Sequence, residues 1–179
     1  MKSITTKNGL NRHLGQFFFP KILVDQVISL IAHKEGRLLE LSCGDGAFKE
    51  CLNDNSVFIE IDPSVITDKQ VLNIDFFDYP ISEKFDTIIG NPPYLDNKFI
   101  NIKHHSGIKV QANLYLYFIE KCFYHLKENG EMIFIVPRDF IKLTSAKIVN
   151  KLLLTNGTIT HFFDYGQTAV PLNILNNTK

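Results

Sequence analysis

Tryptophan is absent from the sequence, and methionine and cysteine are scarce, with two and three residues among 179. The cysteines, Cys43, Cys51 and Cys122, form an odd set without a CxxC pair, which is typical of reduced thiols in a reducing compartment. Charge of one sign does not dominate either, because 19 basic residues are balanced by 19 acidic ones. This balance argues against a general polyanion binder.

Long apolar runs are also missing. The longest, such as residues 132–136, have the length of a strand and not the roughly 20 residues of a membrane span, and the N-terminus has no signal-type apolar stretch. His104 and His105 have no acid or cysteine partners at metal-ligand spacing, so no metal site is predicted. We therefore expect a cytoplasmic protein without a membrane partner, whose 179 residues form one globular domain.

Short β-rich runs alternate with helical stretches along the chain. Strands are predicted at residues 37–41, 57–61, 71–74, 85–89, 131–136 and 158–165, and helices at 20–36, 47–52, a short segment from 62, 112–127 and 145–154. This alternation predicts an α/β fold with a doubly wound, mostly parallel sheet and helices on both faces. Ligands bind such sheets at the carboxyl ends of the strands, which selects residues 42–46, 60–62 and 90–94.

A turn containing two glycines follows the first predicted strand. Gly44 and Gly46 allow the backbone to approach a ligand where a Cβ atom would collide. Glu60 ends the next strand 20 residues after Glu40, where a carboxylate can accept hydrogen bonds from both hydroxyls of a ribose. Lys49 stands where a dinucleotide fingerprint needs its third glycine, so we expect a nucleoside without a pyrophosphate. A plain turn and a solvated acid remain the alternative.

The tetrapeptide Asn91-Pro92-Pro93-Tyr94 is the most specific motif in the chain. Its prolines stiffen the backbone and remove two N–H donors, which holds their carbonyl groups and the Asn91 amide in fixed positions. A simple proline turn would explain the bend. It would not explain why an apolar strand delivers an amide and an aromatic ring together to the ligand-binding edge of the sheet. The motif therefore indicates a functional site.

In content and order, the motifs resemble those of the γ-type N6-adenine DNA methyltransferases of restriction-modification systems. The matching segments are residues 14–20, 40–48, 60–62, 73–76, 91–94, 113–121 and 130–137. The resemblance covers nearly the whole chain to about Tyr165 and implies the Rossmann-like fold of class I methyltransferases. It also implies S-adenosylmethionine as cofactor, S-adenosylhomocysteine as product and no metal.

The resemblance implies a role for each matched residue. The implied cofactor-binding residues are Gln16, Phe17, Glu40, Ser42, Cys43, Gly44, Gly46, Phe48, Glu60, Ile61, Asp75, Phe76, Asn91 and Phe118. Residues 14–20 would lie over the methionine end of the cofactor, and residues 40–48 would form the methionine-binding turn. Glu60 would bind the ribose, Asp75 would accept a hydrogen bond from the adenine amine, and Phe76 would pack against the ring.

The implied catalytic residues are Asn91, Pro92, Pro93 and Tyr94. An exocyclic aromatic amine is a poor nucleophile because its lone pair is delocalised into the ring. If the Asn91 side-chain oxygen and the Pro92 carbonyl accept its two N–H bonds, the lone pair can point at the sulfonium methyl without a strong base. An adenine in a duplex must first be flipped out, and Tyr94 would stack on it. The implied function is methylation of adenine N6 in DNA.

The sequence departs from the family pattern at several positions. Phe19 stands where the N-terminal motif usually carries a small hydroxyl residue, and Val170 stands near the position of an aromatic that helps to hold the flipped base. Residues 172–175 could form only a short remnant of the seventh strand, so a truncated C-terminal strand is expected. Family members continue into a target-recognition domain, and we expect none within these 179 residues.

We therefore expect residues 1–179 to form a single catalytic domain that acts on DNA. Sequence recognition would come from a specificity subunit or from the missing C-terminal recognition domain. Two basic stretches could contact phosphate. They are Lys2, Lys7, Arg12 and Lys21 near the N-terminus, and Lys98, Lys103, His104, His105 and Lys109 in the loop after the tetrapeptide.

Two alternatives to DNA methylation stay open. Similar Asn-Pro-Pro-Tyr turns serve enzymes that methylate a protein glutamine amide or an RNA base amine, although residues 14–20 directly before residues 40–48 favour DNA. The missing C-terminal elements motivate the other alternative, a truncated, non-catalytic remnant that binds the cofactor without turnover.

Overall fold

The computed structural model describes residues 21–49, 53–95, 112–137, 140–163 and 169–176. Its seven strands are β1 Leu38–Leu41, β2 Val57–Glu60, β3 Val71–Asn73, β4 Phe85–Gly90, β5 Leu126–Pro137, β6 Gly157–Phe162 and β7 Ala169–Asn176. Its helices are α1 Lys21–Ser29, α2 Leu114–His125 and α3 Lys147–Asn156, and 3₁₀ turns cover Phe76–Asp78, Phe140–Lys142 and Thr144–Ala146. Within these ranges no helix is long and apolar enough to cross a bilayer.

The strands form one sheet in the order β3-β2-β1-β4-β5-β7-β6. All neighbours from β3 to β5 are parallel, and β7 runs antiparallel to both β5 and β6. The strand order reverses at β1, which pairs with β2 on one side and with β4 on the other. Ligands bind α/β sheets at such a reversal, so the topology places a crevice at the carboxyl ends of β1, β2 and β4.

Both faces of the sheet are covered, as the run of apolar strands predicts. On one face Val24 and Val27 of α1 pack in a cluster with Ile89 and Ile133. On the other face α2 and α3 pack in a larger cluster that includes the neighbouring residue Ile88. Successive strand residues point to opposite faces, so each central strand contributes to both clusters. The prediction of a doubly wound, mostly parallel sheet is confirmed.

The first helix is shorter than predicted. It ends at Ser29 and not near Gly36. The backbone N–H groups of Ala32 and His33 donate to the carboxylate of Glu131, at 2.7 and 3.2 Å. In a continuing helix these two groups would donate to carbonyls four residues earlier. A side chain nearly 100 positions away in the sequence therefore sets where α1 ends.

Two further predictions were wrong. No helix starts at Asp62: its side chain accepts the backbone N–H of Ser64 at 2.9 Å and its carbonyl that of Val65 at 3.4 Å, but the chain forms a single turn over residues 63–65. The C-terminal strand is not a short remnant, since β7 has eight residues and pairs on both sides. Pro171 lies inside it, opposite Ile135. A proline is unusual in a central strand because it has no backbone N–H to donate.

His125, at the end of α2, is fully buried among aromatic rings and gives the fold a dependence on pH. Its Nδ1 contacts the Glu83 carbonyl at 2.8 Å, whereas its Nε2 has no hydrogen-bond partner in the described part of the chain. Burial lowers the pKa of His125 to about 4; the charges of Lys121 and Lys84 also lower it, while Glu83 opposes them. Protonation therefore favours the unfolded chain, in which the histidine pKa is near 6.5.

We expect the neutral His125 ring to contribute fully to stability above pH 6.5. That contribution is lost as the pH falls toward 4, by about 3 kcal/mol in total. Urea denaturation across this pH range measures it. His125→Gln cannot titrate, so its stability should fall less with pH than that of the wild type by about this amount. Parallel pH profiles for the two proteins would contradict the assignment.

Candidate functional site

The loops after β1 and β4 lie side by side at the carboxyl edge of the sheet. Leu41 pairs with Gly90, and a Cβ atom on Gly90 would lie only 3.0 Å from the Leu41 carbonyl oxygen. Gly90 therefore permits β1 and β4 to pair closely just before the tetrapeptide. Ser42 donates from its hydroxyl to the Asn91 carbonyl at 3.4 Å. The structure thus brings together two of the three segments that the sequence selects.

The turn after β1 is tied to the neighbouring strand. Gly44 has a φ of 57° and Gly46 a φ of 82°, in the left-handed region that glycine tolerates. Among the described residues, a Cβ atom on Gly44 would meet nothing within 4 Å. The N–H of Gly44 donates to the Glu60 carboxylate at 2.7 Å, and that of Cys43 donates to the Ile59 carbonyl at 2.9 Å.

Glu60 is held by backbone groups on both of its oxygens. Oε2 accepts the Gly44 N–H, and Oε1 accepts the Asp62 N–H at 2.9 Å. The side chain is 1% exposed, yet it lines the cavity described next. A carboxylate has about four acceptor positions, so two remain for hydroxyl donors. This geometry suits the predicted contact with a ribose.

A cavity of about 180 Å³ lies between this edge of the sheet and α2. Its lining residues are Ser42, Ile59, Glu60, Ile61, Ile74, Asp75, Phe76, Phe77, Pro93, Leu114 and Phe118. Seven of them are predicted site residues: Ser42, Glu60, Ile61, Asp75, Phe76, Pro93 and Phe118. The sequence reasoning missed Ile59, Ile74, Phe77 and Leu114. Leu114 lies four positions before Phe118 on α2, and this helical spacing is the signal that could have found it.

Aromatic and aliphatic side chains give the cavity apolar walls. The Phe76 ring is 2% exposed and stacks on Phe118 at 5.2 Å, while Phe77 packs edge-on against Phe118 at 4.9 Å. Ile61 and Ile74 are 54% and 36% exposed where they line the cavity. Apolar side chains exposed in this way form a surface that a flat aromatic ligand would cover.

Asp75 is the acid beside these apolar walls. Its Oδ1 accepts the Phe77 N–H at 2.9 Å and caps the 3₁₀ turn. The other carboxylate oxygen has no hydrogen-bond partner within the described ranges. One oxygen therefore shapes the turn, and the second is available to a donor in the cavity.

Glu40 is buried at 2% exposure and does not line the cavity. The backbone N–H of Phe48 donates to its carboxyl group, whereas Oε2 has no hydrogen-bond partner among the residues that the structure describes. Burial raises the pKa of Glu40 to about 8; the charges of Asp45 and Glu60 add to this, and Lys49 opposes it. A buried carboxyl with an orphaned oxygen is an acceptor that a bound ammonium group would satisfy.

Cys43 and Phe48 have buried side chains that do not line the cavity. Phe48 packs in the cluster beneath α1. Burial raises the pKa of the Cys43 thiol to about 12, with Glu40 and Glu60 adding to the shift, so the thiol stays protonated. Cys43 therefore contributes its backbone to the turn. Cys122 is likewise a buried free thiol, and Cys51 lies outside the described residues.

The tetrapeptide reaches the cavity through Pro93, which lines it. Pro92 is buried, and the half-buried Asn91 accepts a hydrogen bond on Oδ1 from the Tyr94 hydroxyl at 2.7 Å. The same hydroxyl lies 2.8 Å from the Ile135 carbonyl, and the Tyr94 ring packs edge-on against Tyr115. Burial raises the Tyr94 pKa, so this hydroxyl remains a donor. The ring would have to turn outward to stack on a base.

Several predicted residues cannot be placed. Gln16, Phe17 and Phe19 lie outside the described residues, and so do the basic residues from Lys98 to Lys109. In the described ranges no three His, Cys, Asp or Glu side chains come together as a possible metal site.

A sequence profile, that of the Eco57I restriction-modification methylases, matches residues 36–170, about three quarters of the chain. The chain belongs to the Eco57I restriction-modification methylase family. The match spans every described site segment, from the strand that carries Glu40 to the tetrapeptide and the helix that carries Phe118.

One curated relative of this Eco57I-family chain is the type II methyltransferase M.HincII of Haemophilus influenzae. The two are 34% identical over 172 residues, which cover 88% of this chain and 34% of the relative. The type II methyltransferase M.TthHB8I of Thermus thermophilus is 31% identical over 170 residues, covering 82% and 40% of the two chains. The chain thus spans about a third to two fifths of the length of these relatives.

Among solved structures, an inferred modification subunit of a type I restriction enzyme from Vibrio vulnificus matches this Eco57I-family chain with a TM-score of 0.69. The identity is 17%, and the match covers 91% of this chain and 45% of the other. The N-methyltransferase NodS from Bradyrhizobium japonicum, solved with S-adenosyl-L-homocysteine, matches with a TM-score of 0.58 and 17% identity, covering 88% and 86%. At these identities the likeness establishes the Rossmann-like methyltransferase fold.

Proposed function

We propose that the chain transfers a methyl group from S-adenosylmethionine to the N6 amine of a flipped-out adenine in DNA, as the modification half of a restriction-modification system. The observation that carries the proposal is the position of Asn91. Its amide stands at the end of β4, two residues before Pro93 in the cavity wall and beside the glycine turn. Membership of the Eco57I family and its type II methyltransferase relatives support DNA as the substrate.

The cavity suits the adenosine end of the cofactor. Glu60 has acceptor positions for the ribose hydroxyls, and Asp75 has an oxygen for the adenine amine. Phe77 and Ile61 provide apolar walls for the ring. The orphaned oxygen of Glu40 suits the ammonium of the methionine end. When bound, the cofactor supplies an electrophilic methyl group on sulfur.

The chain's own contribution to the reaction is to hold hydrogen-bond acceptors in place. The Asn91 amide oxygen and the Pro92 carbonyl accept the two N–H bonds of the target amine, which directs its lone pair toward the cavity. Positive charge develops on that nitrogen as the methyl transfers, and acceptors already in position stabilise it without reorganising. The amine replaces the Tyr94 hydroxyl on Asn91 Oδ1, which frees the Tyr94 ring to stack on the base.

The recognition of a DNA sequence lies outside this catalytic unit in our proposal. Residues 1–179 act as one catalytic domain, and a specificity subunit or a further recognition domain selects the site. The relatives are two to three times longer than this chain, and their extra length supports a division between a catalytic part and a recognition part. We place this activity in the cytoplasm, where DNA and the cofactor are both present; three cysteines without a CxxC pair agree with a reducing compartment.

Labelled S-adenosylmethionine tests this function directly. The purified chain is offered DNA without adenine methylation, total RNA and a protein extract side by side, and labelled products are digested to nucleosides or amino acids. Label in N6-methyladenine from DNA is expected. Label in a glutamine amide or in an RNA base would mean that protein or RNA, and not DNA, is the substrate. Cofactor binding without label in any arm would mean that the chain needs a recognition domain or a partner for turnover, or that it is a non-catalytic remnant.

Glu40 predicts a proton linkage for cofactor binding. With its pKa near 8, Glu40 is mostly protonated at pH 7, and an ammonium beside it would ionise it. We therefore expect S-adenosylhomocysteine to release close to one proton on binding. Calorimetry in buffers of different ionisation enthalpy counts that proton. Glu40→Gln should bind about tenfold more weakly and release none.

Asp45→Asn provides the matched control for Glu40→Gln. Asp45 is an exposed acid in the same turn, and its charge acts on Glu40. This variant should still release a proton on binding. If Glu40→Gln released as many protons as the wild type, Glu40 would not be the group that contacts the ammonium.

A further inference from the structure

Lys121, on α2, makes three hydrogen bonds to one short stretch of backbone. Its Nζ donates to the carbonyl oxygens of Phe76 and Phe77, each at 2.7 Å, and of Tyr79 at 2.8 Å. An ammonium group has three donors, so these contacts use all of them. Carbonyl groups at the end of a helical turn lack partners within the turn, and a lysine is well suited to satisfy them. Lys121 thus holds the end of the 3₁₀ turn Phe76–Asp78.

The turn has few hydrogen bonds of its own: the Asp78 N–H donates to the Asp75 carbonyl and the Tyr79 N–H to the Phe76 carbonyl, while the Phe76 side chain is buried in the core. It is three residues long, and its N-terminal cap is the single side-chain contact from Asp75. It follows β3, a three-residue strand at the edge of the sheet whose residues Leu72 and Asn73 are exposed. Turns this short gain little stability from their own hydrogen bonds. The position of the turn in the cavity wall therefore depends on anchors from elsewhere.

Both anchors come from one face of α2. Phe118 and Lys121 are three positions apart, so they lie next to each other on the helix surface. The Phe118 ring packs against the rings of Phe76 and Phe77. The Lys121 ammonium lies 5.0 and 5.9 Å from the same two ring centroids while it holds their carbonyl groups. Lys121 does not line the cavity itself.

We propose that Lys121 is a positioning residue for the adenine end of the cofactor. By fixing the backbone of residues 75–79, it places the Asp75 carboxylate and the Phe77 ring in the cavity wall. It thereby sets the preference for a purine that carries an exocyclic amine, because this amine can donate a hydrogen bond to Asp75. The inference rests on the proposed function, which assigns this cavity to S-adenosylmethionine. Lys121 acts without touching the cofactor or the target base.

The test compares Lys121→Met, which keeps the length of the side chain but loses its charge and donors, with Lys121→Arg. Calorimetry measures binding of S-adenosylhomocysteine and of its inosine counterpart, in which an oxo group replaces the purine amine. We expect Lys121→Met to bind S-adenosylhomocysteine about tenfold more weakly than the wild type does. The variant's affinities for S-adenosylhomocysteine and for the inosine compound should differ by less than about twofold. Lys121→Arg, which can donate to several carbonyls, should recover most of the preference.

Turnover separates positioning from general damage to the fold. At saturating cofactor, kcat of Lys121→Met should stay within about twofold of wild type while KM for the cofactor rises about tenfold. Lys84→Met is the matched control, because Lys84 also donates to a backbone carbonyl, but that carbonyl belongs to Tyr124, which does not line the cavity. This variant should bind both ligands as the wild type does. If Lys121→Met does not fold, Lys121→Gln takes its place with the same expected loss of preference.

Equal weakening of both ligands, with the preference intact, would overturn the positioning role. So would wild-type affinity for both ligands in Lys121→Met, or a wild-type chain that binds both ligands equally well. These outcomes leave the proposed function standing. Failure of the wild-type chain to bind S-adenosylhomocysteine at all would instead overturn the proposed function, and it is measured before any variant is compared.

Discussion

Replacing Asn91 with alanine is expected to lower the rate of methyl transfer about 1,000-fold. The change removes the side-chain acceptor that stabilises charge on the amine in the transition state, and losses of this size follow removal of one such group in other enzymes. Affinity for S-adenosylhomocysteine should change less than about twofold, because the acceptor works only on the target amine. Single-turnover transfer of labelled methyl at saturating cofactor measures the rate, and calorimetry measures the affinity.

The structure indicates that Asn91→Ala will fold. The Tyr94 hydroxyl, which donates to Asn91 Oδ1, also lies within hydrogen-bond distance of the Ile135 carbonyl and keeps that acceptor. Asn150→Ala is a suitable control, since Asn150, on α3, donates to the Ile141 carbonyl and neither residue lines the cavity. It should leave transfer unchanged. An Asn91→Ala variant that retained more than about a tenth of wild-type turnover would refute the mechanism.

Replacing Glu60 with alanine should raise the dissociation constant for S-adenosylhomocysteine about 100-fold. Each hydrogen bond from a ribose hydroxyl to a carboxylate contributes about 1.5 to 3 kcal/mol, and the variant loses both. It also loses the partner of the Gly44 and Asp62 N–H groups, which loosens the glycine turn. Calorimetry with the purified variant measures the combined loss.

A second ligand separates the two effects of Glu60→Ala. The wild type should bind the 2′,3′-dideoxy analogue of S-adenosylhomocysteine about 100-fold more weakly than the parent compound, whereas Glu60→Ala should hardly distinguish the two. Glu83→Ala controls for loss of an acid elsewhere, because Glu83 pairs with Arg37 outside the cavity. If Glu60→Ala still discriminated between the ligands, Glu60 would not bind the ribose.

The sequence predicts the central sheet and the three loops of the site because their signals are local. Short β-rich runs between helical stretches identify the strands. The glycines and the Asn-Pro-Pro-Tyr turn follow a strand directly, and Glu60 ends one. The carboxyl ends of parallel strands meet at one edge, so correct strands already bring these residues together. The order of β1, β2 and β4 then follows from ordinary α/β topology.

The parts that the sequence does not predict depend on distant contacts. Ile59 and Leu114 line the cavity, but an apolar residue in a strand or helix looks the same whether it faces the core or a ligand. The end of α1 is set by Glu131, and the three carbonyl contacts of Lys121 cross more than 40 positions of sequence. No local sequence pattern indicates such long-range contacts.

The place of β7 in the sheet also determines when the fold can be completed during synthesis. β6 precedes β7 in the chain, yet among the strands that the structure describes β7 is the one that pairs with it. Neither strand can therefore join β5 before residues 169–176 have left the ribosome. Until then the apolar edge of β5, which includes Ile133 and Ile135, has no strand beside it and is open to association with other chains. Two strands of the sheet thus depend on the synthesis of one eight-residue segment.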